Sequence, residues 1–143
     1  MEKLLFFTAP PISIDKPSPI CSDKVSAGFP SPAENYIEGE LNLNTLLVKN
    51  PSATFFVKVS GDSMIGSGIH PNDILIVDRS IDVKNNDIII ASVNREFTVK
   101  RFRQDNNSIR LEPENPKYKP IIITESMDFE VWGIVTSVIH KVH

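Results

Sequence analysis

The sequence predicts a mostly β protein: a compact body of short, twisted strands with one short helix and an extended N-terminal arm. Short apolar, β-branched runs recur from Thr54 onward and are separated by Gly, Pro, Asn and Asp, which is typical of strands joined by turns. Six of the 11 prolines lie in the first 33 residues. The length of 143 residues fits one domain plus such an arm.

Residues 1–33 form the predicted arm, and residues 34–143 form the predicted body. Because proline fixes φ and lacks an N–H donor, the proline-rich arm favours an extended conformation over a helix interior or a central strand. The apolar run at residues 4–7 ends at Thr8, which is too short for a signal peptide. No run approaches the roughly 18 apolar residues of a membrane span, so we expect a cytoplasmic protein.

One amphipathic helix is predicted within residues 41–49. Leu43, Leu46 and Leu47 share one helical face. Asn42 or Asn44 can cap its start, and Pro51 follows its end. We expect this helix to dock on the body.

The remaining elements are strands. Asn94-Arg95 predicts a tight hairpin between two of them, and Gly133 predicts a bulge or bend in the last one. The predicted strands are residues 54–60, 74–78, 88–93, 96–102, 108–112, 121–123 and 129–142.

Composition excludes several functions. A net charge of −3 gives no basic excess for binding nucleic acid through its phosphates. The single cysteine, Cys21, excludes a disulfide within the chain. The three histidines show no paired Cys/His spacing, so the sequence predicts neither a structural zinc site nor a cofactor.

Ser63 follows an apolar strand, in the turn Gly61-Asp62-Ser63-Met64. A turn exposes the serine hydroxyl, and the nearby backbone N–H groups of Asp62 and Ser63 could hold a developing oxyanion. A serine nucleophile needs a neighbouring base. Taken alone, the same residues are also consistent with an ordinary turn.

Lys100 is a candidate base because it lies inside an apolar strand, in Phe97-Thr98-Val99-Lys100. Burial disfavours the ammonium and lowers the pKa of a lysine, so a neutral amine could accept the serine proton. Strict alternation places Lys100 on the face of Thr98 and Phe102, and this face must then be buried. The alternative is a strand lysine that extends into solvent.

Ala27-Gly28 in the arm is a candidate cleavage site. Small residues let an extended backbone approach a recessed serine closely, and the neighbouring Pro30 favours an extended chain. By itself an Ala-Gly pair is also an ordinary dipeptide.

Together these motifs resemble the LexA-type self-cleaving serine peptidases, and within them the UmuD-like SOS mutagenesis proteins. The similarity runs from about residue 27 to the C-terminus, with the motifs in order and at matching spacing. The matching segments are Ala27-Gly28, Phe29-Pro30-Ser31-Pro32, Ser52-Ala53-Thr54, Gly61-Asp62-Ser63-Met64, residues 73–78, residues 96–100 and residues 116–120.

The resemblance implies that Ser63 is the nucleophile, that Lys100 is the general base and that the Ala27–Gly28 bond is cut. It also implies a homodimer, activation by the RecA–single-stranded DNA filament, and a shortened product that joins a UmuC-type DNA polymerase in translesion synthesis. UmuD-like cleavage sites carry cysteine before the glycine, so Ala27 is nearer the repressor pattern.

Other functions remain open at this point. The body could be a non-catalytic module that binds a polymerase, a fragment of a LexA-type repressor, or a signal-peptidase-like enzyme that acts on other proteins. A repressor would carry an N-terminal helix-turn-helix, and this arm is too short and too proline-rich to form one.

Overall fold

The computed structural model describes residues 2–9, 18–21 and 37–143, with the backbone alone for 18–21. This part of the chain is mostly β, as predicted, and contains one short helix, α1 (Leu43–Leu47). The strands are β1 (Leu4–Thr8), β2 (Ser18–Cys21), β3 (Ile37–Leu41), β4 (Thr54–Val59), β5 (Ile74–Asp78), β6 (Ile88–Val93), β7 (Glu96–Asp105), β8 (Ser108–Glu112), β9 (Ile121–Ile123) and β10 (Phe129–Ile139). None of the helices in these ranges has the length and apolar character needed to cross a membrane.

Eight of the strands form one antiparallel sheet in the order β1-β4-β5-β10-β6-β7-β8-β9. The last strand, β10, therefore lies in the middle of the sheet and joins β5 to β6. Strands β2 and β3 form a separate pair. Two apolar clusters fill the interior, one around β4 and β5 and the other around β6, β8 and β10.

β10 carries the predicted irregularity at Gly133. Its pairing with β6 shifts register between Val131 and Gly133. A Cβ at Gly133 would lie 2.6 Å from Cγ1 of Val77, so a larger residue would push β10 away from β5. The glycine lets the two strands approach closely at the bend.

Most predicted strands are confirmed within one or two residues at each end. The Asn94-Arg95 hairpin is confirmed as well, and both residues have positive φ, 50° and 70°, as in a type I′ turn. The predicted boundary between arm and body near residue 33 lies outside the described residues.

α1 is confirmed, and Asn42 caps it by accepting the Thr45 N–H at 3.2 Å. The expectation that its leucine face docks on the body was too strong. Leu43 and Leu46 are 55% and 47% exposed, and no residue of the helix is buried.

β1 was not predicted, and it forms the edge of the main sheet before the first proline of the chain. It pairs with β4 from Leu4 opposite Val59 to Thr8 opposite Phe55. Its inward residue Phe6 packs on Phe97 and Trp132, with ring centroids 4.9 and 4.8 Å away. This pairing directs the chain before β1 toward the turn that follows β4.

The docking of β1 should depend on its inward face alone. Phe6→Ala should lower the free energy of unfolding by about 2 kcal/mol, because the lost ring is partly buried against two aromatic side chains. Phe7→Ala is the matched control, since Phe7 is 51% exposed on the other face, and it should cost less than about 0.5 kcal/mol. Urea denaturation followed by the fluorescence of Trp132 measures both, and equal losses would contradict this packing.

Candidate active site

Ser63 lies in the turn between β4 and a 3₁₀ turn at Ile65–Ser67, and its side chain is buried, with 1% exposure for the residue. The loop after β8 holds this turn in place. The Glu114 N–H donates to the Ser63 carbonyl at 2.8 Å, and the Gly66 N–H donates to the Glu114 carbonyl at 2.8 Å. The amide of Asn115 donates to the Asp62 carbonyl at 2.9 Å. Two backbone hydrogen bonds and one side-chain hydrogen bond therefore fix the turn that carries Ser63 to a second loop.

Lys100 lies on β7, between β6 and β8, and is only 5% exposed. Its Nζ is 3.0 Å from Ser63 Oγ and donates to Thr98 Oγ1 at 2.6 Å and to the Val99 carbonyl at 3.1 Å. The face that Lys100 shares with Phe102 is buried, since Phe102 is 4% exposed. The alternative of a lysine extending into solvent is thus excluded.

Burial lowers the pKa of Lys100 below its ordinary value, because desolvation penalises the ammonium form. The carboxylate of Glu2 acts in the opposite direction, by its charge and by a hydrogen bond, and offsets part of this shift. Burial and Glu2 therefore shift the pKa of Lys100 in opposite directions, and this pKa depends on whether Glu2 is present.

Glu2 reaches the Ser63–Lys100 pair because β1 runs antiparallel to β4 and begins beside the turn that follows β4. Its side chain is 8% exposed, and Oε1 lies 3.5 Å from Lys100 Nζ and accepts a hydrogen bond from Ser63 Oγ. Oε2 accepts the Val99 N–H at 3.2 Å. A carboxylate in this position competes with Lys100 for the hydroxyl of Ser63.

The anchoring of Glu2 extends to its neighbour. The Lys3 N–H donates to Ser60 Oγ at 2.8 Å, and the Ser60 N–H donates to the Lys3 carbonyl at 3.1 Å. Sequence reasoning missed Glu2 completely. No local motif marks this residue, and its place follows only from the pairing of β1 with β4.

The other predicted site residues have mixed outcomes. Among the described residues, the backbone N–H groups of Asp62 and Ser63 form no hydrogen bond, and their role in holding an oxyanion stays a prediction. Ala27 and Gly28 lie outside the described residues. A cleft of 470 Å³ opens beside the pair, lined in part by Glu2, Phe97, Lys100 and Tyr118.

The Peptidase S24-like family matches residues 19–136 of the chain, which include both Ser63 and Lys100. The chain belongs to the S24-like peptidase family. Protein SamA of Salmonella typhimurium is 42% identical over 128 residues, covering 90% of this chain and 89% of SamA. Protein MucA of Escherichia coli is 42% identical over 120 residues, covering 82% and 81%. Protein ImpA of Shigella flexneri is 40% identical over 131 residues, covering 86% and 83%.

The family match and the three relatives together confirm the predicted resemblance, the first to the S24-like peptidases and the second to the UmuD-like SOS mutagenesis proteins. The family match supports a serine peptidase kind of activity for this chain. The buried Ser63–Lys100 pair is the arrangement in the described structure that offers a serine hydroxyl next to a base of lowered pKa.

Removing the charge of Glu2 should lower the pKa of Lys100 further, because the favourable interaction with the ammonium is lost while the desolvation remains. An NMR titration of the Lys100 side chain in Glu2→Gln against the unmodified chain measures the shift. Glu125→Gln removes an exposed carboxylate from a turn and serves as the control that should leave the Lys100 titration unchanged. An unchanged or higher Lys100 pKa in Glu2→Gln would contradict the contact.

Proposed function

We propose that this protein is a self-cleaving serine peptidase that cuts its own Ala27–Gly28 bond. Ser63 acts as the nucleophile and Lys100 as the general base. The observation that carries the proposal is the distance of 3.0 Å between Ser63 Oγ and the buried Nζ of Lys100. Membership of the S24-like family supports it.

The reaction begins with neutral Lys100. Its amine accepts the proton of Ser63 as Oγ attacks the carbonyl carbon of Ala27, and the N–H groups of Asp62 and Ser63 stabilise the oxyanion. The protonated lysine then gives its proton to the nitrogen of Gly28, which leaves as an amine. The Ala27 ester on Ser63 is hydrolysed by a water that Lys100 deprotonates, and this restores the serine and releases residues 1–27 from residues 28–143.

Two features allow the Ser63–Lys100 pair to fulfil this role even if it cleaves slowly. Self-cleavage needs one turnover per chain, and the arm is held near Ser63 by its own tether or by a partner subunit in a homodimer. Burial lowers the pKa of Lys100 and so favours the neutral amine without the help of a histidine.

The structure with Glu2 against Ser63 and Lys100 represents the resting state of the proposed switch. A peptide carbonyl reaches Ser63 Oγ only after Glu2 withdraws, since the carboxylate lies within hydrogen-bonding distance of both groups. Withdrawal of β1 also uncovers the edge of β4, to which an extended segment can pair. We propose that the RecA–single-stranded DNA filament favours this open state.

In the proposed pathway, DNA damage and the SOS response trigger the cut in the cytoplasm. The processed homodimer of residues 28–143 then serves as the accessory subunit of a UmuC-type, error-prone translesion DNA polymerase. The UmuD-like relatives support this role. The net charge of −3 also favours recruitment through protein contacts over direct binding to DNA.

Incubation of the purified chain over a pH series tests the pair. Conversion to a fragment that begins at Gly28 should speed up by about tenfold per pH unit while Lys100 is mostly protonated. It should level off above the folded pKa of Lys100, which lies below 10.5. Ser63→Ala and Lys100→Met should both abolish conversion.

Ser126→Ala and Lys84→Met are the matched controls, since both residues are exposed and lie outside the site, and they should convert at the original rate. Mass spectrometry identifies the new terminus. A chain that stays intact at every pH and with the RecA filament added would leave the polymerase-binding module as the function.

Glu2→Gln separates the resting contact from the chemistry. This variant should convert faster than the original chain at neutral pH, because the blocking carboxylate is gone and the pKa of Lys100 is lower. Its stimulation by the RecA filament should be correspondingly smaller. Gel quantification of the fragment over time gives both rates, with Glu125→Gln as the control. Slower conversion of Glu2→Gln would show that Glu2 assists the reaction.

A further inference from the structure

A second cluster of polar side chains lies where β5 begins and β10 ends. Ile74 and Ile139 pair across these two strands. Asp73, which precedes Ile74, therefore lies next to His140, which follows Ile139. The loop between the 3₁₀ turn and β5 brings His70 to the same place. One ligand atom can be taken from each of the three residues so that all lie within 4.8 Å of one another.

Asp73 is the centre of the cluster and is buried, with 2% of its side chain exposed. Its Oδ1 lies 2.6 Å from His140 Nδ1, and its Oδ2 lies 3.7 Å from His70 Nδ1. Oδ2 also accepts the backbone N–H of His70 at 2.7 Å. The carboxylate is thus oriented by the loop, and one histidine approaches each of its oxygens.

His70 Nδ1 is the unusual atom of this group. The atom is buried and has no hydrogen-bond partner in the described chain, although 43% of the side chain is exposed. An unpaired buried nitrogen costs free energy, and such an atom calls for an explanation. A bound cation supplies one, because the lone pair of a neutral imidazole is a metal ligand.

We propose that His70, Asp73 and His140 form a binding site for a divalent transition-metal ion of the Zn²⁺ type. Two imidazole nitrogens and one carboxylate are a ligand set that Zn²⁺ accepts, and water completes the coordination on the exposed side. In a tetrahedral Zn²⁺ site neighbouring ligand atoms lie about 3.3 Å apart. The distances of 2.6 and 3.7 Å run to different oxygens of Asp73, and the three ligand atoms are spread over up to 4.8 Å. The side chains would therefore have to move closer together around the ion.

This site is separate from the Ser63–Lys100 pair, and it adds to the proposed function without depending on it. Sequence spacing did not reveal it, because Asp73 and His140 are 67 positions apart. The ion would connect the end of β10 to the loop that carries His70. That loop is joined to the turn after Ser63, because the Ile69 N–H donates to the Met64 carbonyl at 3.3 Å. Metal binding would therefore stiffen the segment between the two sites.

Thermal unfolding and Co²⁺ absorption test the proposal on the intact chain. ZnCl₂ in excess should raise the Tm, because a ligand that binds only the folded state stabilises it. Co²⁺ should give visible absorption bands at one ion per chain, and Zn²⁺ should abolish them by displacement. His70→Asn and His140→Gln should each weaken Zn²⁺ binding by about tenfold or more and make the Tm shift smaller.

His143→Ala is the matched control, since it removes the third histidine from an exposed position outside the cluster, and it should bind Zn²⁺ as the original chain does. His140 is 45% exposed, so His140→Gln should fold even if His70→Asn does not. The proposal is overturned if Zn²⁺ gives no Tm shift in the original chain. Unweakened binding by His140→Gln would overturn it as well.

Discussion

A lysine amine buried against a serine hydroxyl is the interaction on which the rest of this structure depends. Taking an ammonium out of water is costly unless other groups satisfy it, and here Thr98 Oγ1 and the Val99 carbonyl do so. These partners are close because Thr98 and Val99 precede Lys100 on β7, and β7 is held in place by hydrogen bonds to β6 and to β8. The sheet therefore provides the rigidity that keeps the amine beside the serine.

The serine must be held as firmly as the lysine, and Arg101 links the two supports. Its guanidinium binds the Glu114 carboxylate at 2.8 Å and Ser67 Oγ at 3.0 Å. Glu114 in turn holds the Ser63 carbonyl through its own N–H. The residue next to Lys100 on β7 thus fastens both the turn that follows Ser63 and the loop that secures it. A change in either loop would be transmitted to the distance between Ser63 and Lys100.

Local patterns were sufficient to predict most of the body. Strands β5, β6 and β8, the Asn94-Arg95 hairpin and the Gly133 bulge follow from short-range alternation and turn residues. The meeting of Ser63 with Lys100 was predicted from residue chemistry and family resemblance. β1 and Glu2 could not be predicted, because an edge strand of five residues becomes recognisable only when its partner is known. The same is true of the cluster around Asp73, whose members come together only in the folded sheet.

Because β1 is an edge strand, the proposed cut would make its release from the sheet irreversible. In the proposed switch, β1 would return to β4 after each opening while the chain is whole, because its tether keeps it at a high local concentration. Once the bond after residue 27 is broken, that strand is a separate peptide, and rebinding becomes a bimolecular event at cellular dilution. The unpaired backbone of β4 is then open to whichever extended chain is present. A single hydrolysis would thus make the release of β1 irreversible, so that the chain stays open after the signal has ended.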